Sequence, residues 1–113
     1  MEHAIEILPV IEWADVTYFI RQPNEHMPLR CQRENQTYCL AFDTNEKARQ
    51  WLHESGNYEL DLLSMNKPNT IATLETLKRA GVDHVWLNMT VSPGIPQFHN
   101  VEDVIQVLTH PRK

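Results

Sequence analysis

The sequence predicts an α+β fold: a mixed, largely antiparallel sheet of about five strands packed by three or four helices. Three observations lead there. Residues 37–42 are apolar on both alternating faces, as a strand covered on both sides requires. Three later segments place apolar residues three and four apart, the spacing of one-sided helices. Between those segments stand short β-branched or aromatic runs bounded by Gly, Pro and Asn.

The chain of 113 residues has the size of one domain, so residues 1–113 are read as a single α+β unit. At 42% apolar and 22% charged, it has the composition of a globular chain with a core of its own. No internal repeat, low-complexity tract or interior linker divides it.

Residues 1–15 are ambiguous. Ile5, Leu8 and Ile11 fit a helix, Ile5, Ile7, Ile11 and Trp13 fit alternation, and Pro9 disfavours an unbroken form of either. A short N-terminal helix or irregular arm ending near Asp15 is expected. Residues 16–21, Val-Thr-Tyr-Phe-Ile-Arg, make a good strand, and residues 22–28 with two prolines make a loop.

Residues 29–33 and 37–42 should pair around Glu34-Asn35-Gln36, with Leu40 and Phe42 on one face and Cys39 and Ala41 on the other. That hairpin would set Cys31 across from Cys39 at a separation suited to a disulfide. Two cysteines without a Cys-x-x-Cys unit form no disulfide framework, and reduced core thiols are the expected state in a cytoplasm.

Asp43 as N-cap with Glu46 three residues on opens a helix whose stripe is Ala48, Trp51 and Leu52, ended by Gly56. Tyr58, Leu60 and Leu62 alternate as a strand that fades at Asn66-Lys67-Pro68-Asn69. A helix over about 70–80 buries Ile71, Leu74 and Leu77 and stops at Gly81, with Lys78 and Arg79 placed to complement the helix dipole. Residues 84–89 form the next strand, and residues 92–97 a loop with two prolines and Gly94. Asn100 with Asp103 caps a last helix that buries Val101, Val104, Ile105 and Leu108 and closes at Pro111.

Two of these stretches resemble the N-terminal domain of the bacterial serine-sensitivity-enhancing (SseB-type) proteins. Leu40-Ala41-Phe42-Asp43-Thr44-Asn45-Glu46-Lys47-Ala48-Arg49-Gln50-Trp51 is similar to the family's strand ending in Phe-Thr or Phe-Ser, followed by an acidic helix with Ala and Trp. Arg79-Ala80-Gly81-Val82-Asp83-His84-Val85-Trp86-Leu87-Asn88 looks like its helix, Gly-turn and apolar strand. Here Asp43 is inserted between Phe42 and Thr44, Met89 stands where the family has proline, and the second domain of many members has no counterpart. The resemblance would cover about residues 16–109. It implies a non-enzymatic family found among bacterial regulatory and secretion-related proteins, and it supplies no mechanism.

Composition narrows the function classes. A net charge of −5 with ten scattered Lys and Arg argues against a nucleic-acid partner, which needs clustered basic residues. No apolar run reaches the roughly 20 residues of a membrane span, and Met1-Glu2-His3-Ala4 has no basic flank or cleavable apolar stretch, so a cytoplasmic location is expected.

Catalytic signatures are missing as well. There is no Gly-x-Ser-x-Gly, no phosphate-binding Gly-rich loop and no dinucleotide fingerprint. The six histidines are dispersed, so His26, Cys31, Cys39 and His84 would meet at a metal only through tertiary structure; no metal or cofactor is expected. Glu59 and Asp61 would share a face of one strand, better read as solvated than as an acid–base pair.

Two sets of residues remain as candidates. Thr44, Asn45, Asn66, Asn88 and Ser92 stand where predicted strands end, the rim at which parallel sheets bind ligands and at which capping also uses Asn, Ser and Thr. Trp13, beside Glu12 and Asp15, is the tryptophan best placed for exposure and would form an acidic, aromatic patch suited to a basic protein partner. The expected function is therefore a non-catalytic protein-interaction or regulatory domain. The alternatives are a small-molecule-binding module or small enzyme using the polar rim, and an immunity or antitoxin-like protein. A homo-oligomer is compatible with all three.

Overall fold

The fold is given by a computed structural model, which describes residues 6–33, 35–90 and 97–110. In chain order it runs β1 (Glu6–Ile7), β2 (Thr17–Arg21), β3 (Arg30–Arg33), β4 (Gln36–Phe42), α1 (Asn45–Ser55), β5 (Asp61–Met65), α2 (Lys67–Arg79), β6 (His84–Leu87), β7 (Gln97–Asn100) and α3 (Val101–Thr109). The α+β class and a mixed sheet are as expected. Among the described residues the sheet has seven strands rather than about five, and three helices pack it.

The strand order is β1-β7-β6-β4-β2-β5, with β3 also on β4. β1 with β7 and β4 with β6 are parallel, and the other pairings are antiparallel. β4 is the centre, because residues 38–42 are all buried. Tyr38, Leu40 and Phe42 face α1, packing with its Ala48 and Trp51 and with Phe98. Cys39 and Ala41 face α2 and α3, packing with Leu74, Leu77, Val101, Val104, Ile105 and Leu108. Each helix buries a single stripe, so one helix covers one side of the sheet and two cover the other. No helix among the described residues is long and apolar enough to cross a membrane.

β2 and β3 share one flank of β4. Phe19 stands opposite Ala41 and Arg30 opposite Cys39, so the stretch 20–29 is set against Leu40 alone. This excursion is closed by the Leu29 N–H, which donates to the Ile20 carbonyl at 2.7 Å.

Several local expectations change. Residues 6–7 pair in parallel with β7, and no helix forms among residues 6–15. β7 occupies residues read as the end of a loop and the start of a cap; its Phe98 is fully buried. Asn100 does take the N-cap position of α3, but its side chain makes no capping bond. Tyr58 and Glu59 lie in a turn ahead of β5, so Glu59 and Asp61 do not share a strand face.

α2 starts three residues earlier than expected. Asn66 caps it and Pro68 fits its first turn, where the missing N–H costs nothing. α1 is capped by Thr44, not Asp43. Thr44 is extended (φ −137°) and its hydroxyl accepts the Lys47 N–H, while the Asp43 carboxylate is held by Lys47 Nζ at 3.0 Å. Cys31 pairs with Tyr38 and Cys39 with Arg30, which puts the two thiols on opposite faces of the sheet. The disulfide geometry imagined for a hairpin is therefore absent.

Candidate functional site

The C-terminal ends of the parallel pair β4 and β6 lie side by side, and the chain leaves each of them for a polar residue: Asp43 after Phe42, Asn88 after Leu87. Asn88 adopts a left-handed backbone (φ 57°), a conformation Asn tolerates better than other side-chain-bearing residues. There its own N–H donates to the Ala41 carbonyl at 2.7 Å and its Oδ1 accepts the Asp43 N–H at 3.1 Å. The turn after β6 is thereby tied to the turn after β4.

Over this junction crosses the arm that precedes β2. Its Trp13 is half-buried, donating from Nε1 to Thr17 Oγ1 at 2.9 Å and meeting the His99 ring edge-on at a centroid distance of 5.8 Å. His99 Nδ1 in turn lies 3.1 Å from the Leu8 carbonyl, so β7 holds the arm at two points. Between arm and strand ends is a cavity of about 240 Å³ lined by Glu12, Trp13, Ala14, Thr17, Phe42, Asp43 and Leu87. It is smaller than the roughly 300 Å³ at which pockets for drug-sized ligands begin.

The structure thus brings together part of each predicted set. Glu12 and Trp13 share the cavity with Asp43, and Asn88 reaches it through its bond to Asp43. Asp15 lies outside it, exposed and paired with Lys67 Nζ at 3.8 Å. Thr44, Asn45 and Asn66 serve their own helices: Thr44 accepts from Lys47 N–H, Asn45 Oδ1 from Arg49 Nε at 2.6 Å, and Asn66 Oδ1 from Asn69 N–H at 3.0 Å. Ser92 lies outside the described residues. Asp43 and Thr17 belong to the cavity and were not singled out. Asp43 carried a signal, since it follows the central strand, but that signal is shared with helix capping.

The electrostatics are mild. Burial pushes the Asp43 carboxyl up, but its bonds to the Asn88 side chain and Lys47, with the Lys47 charge, outweigh this and hold it below the usual carboxylate range. Asp43 is therefore an ion-paired carboxylate and not a poised acid. Burial raises both thiols, Cys39 to about 12 and Cys31 by less. Among the described residues, no three of His, Cys, Asp and Glu gather as metal ligands.

Trp13 spends its aromatic face inside the molecule. What the arm exposes instead is Ile11 (69%) and Val16 (40%), flanked by the exposed carboxylates of Glu12 and Asp15. No family model and no curated protein matches this chain.

Proposed function

We propose that this chain is a non-catalytic protein-interaction domain whose contact surface is the arm over residues 11–16. The observation that carries this is the exposure of Ile11 and Val16 on a segment that Trp13 pins to the sheet. A fixed backbone presents apolar anchors without the ordering cost that a loose loop would incur on binding. Glu12 and Asp15 around them, on a chain of net charge −5, favour a partner with a basic rim. The SseB-type resemblance points to the same non-enzymatic class.

The test is affinity purification from the native cell, followed by binding measurements on the recovered partner. Ile11→Asp with Val16→Asp should weaken that complex by about tenfold or more while leaving the fold intact. Equal affinity of the variant and the wild type would remove the arm from the interface.

The cavity under Trp13 favours a second reading, a site for a small cationic molecule held between Glu12 and Asp43. A thermal-shift screen with small amines separates the two. A ligand whose stabilisation disappears in Glu12→Gln supports this reading over the first.

A further inference from the structure

The sheet ends differently at its two sides. Among the described residues, one side ends on β1, Glu6–Ile7. On the flank of β4, β3 carries Arg30 and Arg33, charges of the kind that discourage edge pairing. The other end is β5, Asp61-Leu62-Leu63-Ser64-Met65, which has no Lys, Arg or Pro and, among the described residues, pairs only with β2. Leu62 and Leu63 are half-buried, Ser64 is exposed, and Tyr58 just ahead of the strand is 72% exposed.

The direction of the free backbone groups follows from the register. Ile20 turns its carbonyl away from β5, toward Leu29, so the alternate residues Thr17, Phe19 and Arg21 turn toward β5. Their partners Met65, Leu63 and Asp61 therefore bond inward. Leu62 and Ser64 point their N–H and C=O groups out of the sheet edge.

We propose that the β5 edge pairs with the β5 edge of a second copy of this chain, antiparallel and centred on Leu63, joining two sheets into one. In this register Leu62 stands opposite Ser64 of the second copy, and both present outward backbone groups, the condition for a hydrogen-bonded pair. Leu63 meets its own copy, and Asp61 meets Met65 instead of another carboxylate. Asp61 at the start of the strand and Glu59 in the turn ahead of it are carried toward Lys67, the first residue of α2 in the second copy, whereas a parallel arrangement would set like charges together. The pairing is isologous and closes at two copies, because it uses the β5 edge of each.

Sedimentation equilibrium from micromolar to millimolar concentration tests this, combined with amide exchange read residue by residue. The expected mass rises from 13.2 kDa toward twice that value, and the Leu62 and Ser64 amides gain protection as it does. Ser64→Pro removes an outward N–H that β2 does not use, and it should weaken dimerisation by about tenfold or more with the melting temperature of the monomer preserved. If that variant fails to fold, Ser64→Lys supplies the same comparison through edge charge. Glu59→Lys alone should weaken the dimer, and Glu59→Lys with Lys67→Glu should restore it. A chain that stays at 13.2 kDa throughout, or a dimer that leaves the Leu62 and Ser64 amides unprotected, overturns the proposal.

Discussion

Asn88 and Asp43 stand 45 positions apart in the chain, and the Asp43 N–H donates to Asn88 Oδ1 at 3.1 Å. That bond ties together the exits of two adjacent parallel strands. Asp43 lines the cavity beside Trp13, and the bond depends on a residue held in a left-handed backbone.

Asn88→Gly keeps that backbone and removes the bond, which should destabilise the fold by about 1 kcal/mol. Asn88→Val also forces a β-branched residue into the left-handed region and should cost a further ~1–2 kcal/mol. Urea denaturation of the two variants reads the difference. Equal stabilities would mean that the turn relaxes to another conformation.

The pH dependence at Asp43 has a definite sign. Its carboxyl titrates below the usual range in the fold, so the stabilisation is present above the unfolded pKa of about 3.9 and is lost as pH falls through the lower folded value. The stability gap between wild type and Asp43→Asn should therefore shrink on acidification. In Lys47→Ala, an NMR titration should find the Asp43 pKa higher than in the wild type. An unchanged value would assign the depression to Asn88 instead.

The two thiols should differ in reactivity. Cys39 is fully buried with its pKa pushed up to about 12, and Cys31 is partly exposed with a smaller rise. Iodoacetamide should modify Cys31 first, more slowly than free cysteine, and Cys39 only on unfolding. Because the pair lies on opposite faces, mild oxidation of the monomer should leave two titratable thiols in denaturant.

Trp13 and Thr17 form a small coupled unit. Thr17→Val leaves the indole N–H without its acceptor and should cost about 1 kcal/mol, as should Trp13→Phe from the other side. Removing both partners should cost less than the two single changes together. Trp13→Ala should also speed exchange of the Leu8 amide, which donates to the Phe98 carbonyl at 2.8 Å and reports on whether the arm stays docked.

What could be read from residues alone was whatever a segment states by itself. β4 declared itself because its apolar residues occupy both alternating faces, and α3 because Val101, Val104, Ile105 and Leu108 follow helical spacing; all of these are buried. Gly56 marked the end of α1 and sits there with φ 74°. Sequence pattern named Glu12 and Trp13 in one candidate set and Asn88 in another, and neither set indicated that the three meet around Asp43. The outward orientation expected of Trp13 was not found, since exposure depends on what His99 and Thr17 offer it.

Local pattern in the sequence determined the class of the fold, its central strand and the three helices among the described residues; it marked Thr44 and Asn66 as polar residues at strand exits, but gave the α1 cap to Asp43 and began α2 after Asn66-Lys67-Pro68-Asn69. Tertiary structure alone decided that β1 and β7 are strands, that Ile20 to Leu29 is an excursion, that the cysteines face apart, and that Asp43 belongs with Glu12. Hydrophobic periodicity is a property of neighbours along a chain, whereas strand pairing and the Asn88–Asp43 bond join residues far apart in sequence, and only the packed sheet specifies which of them meet.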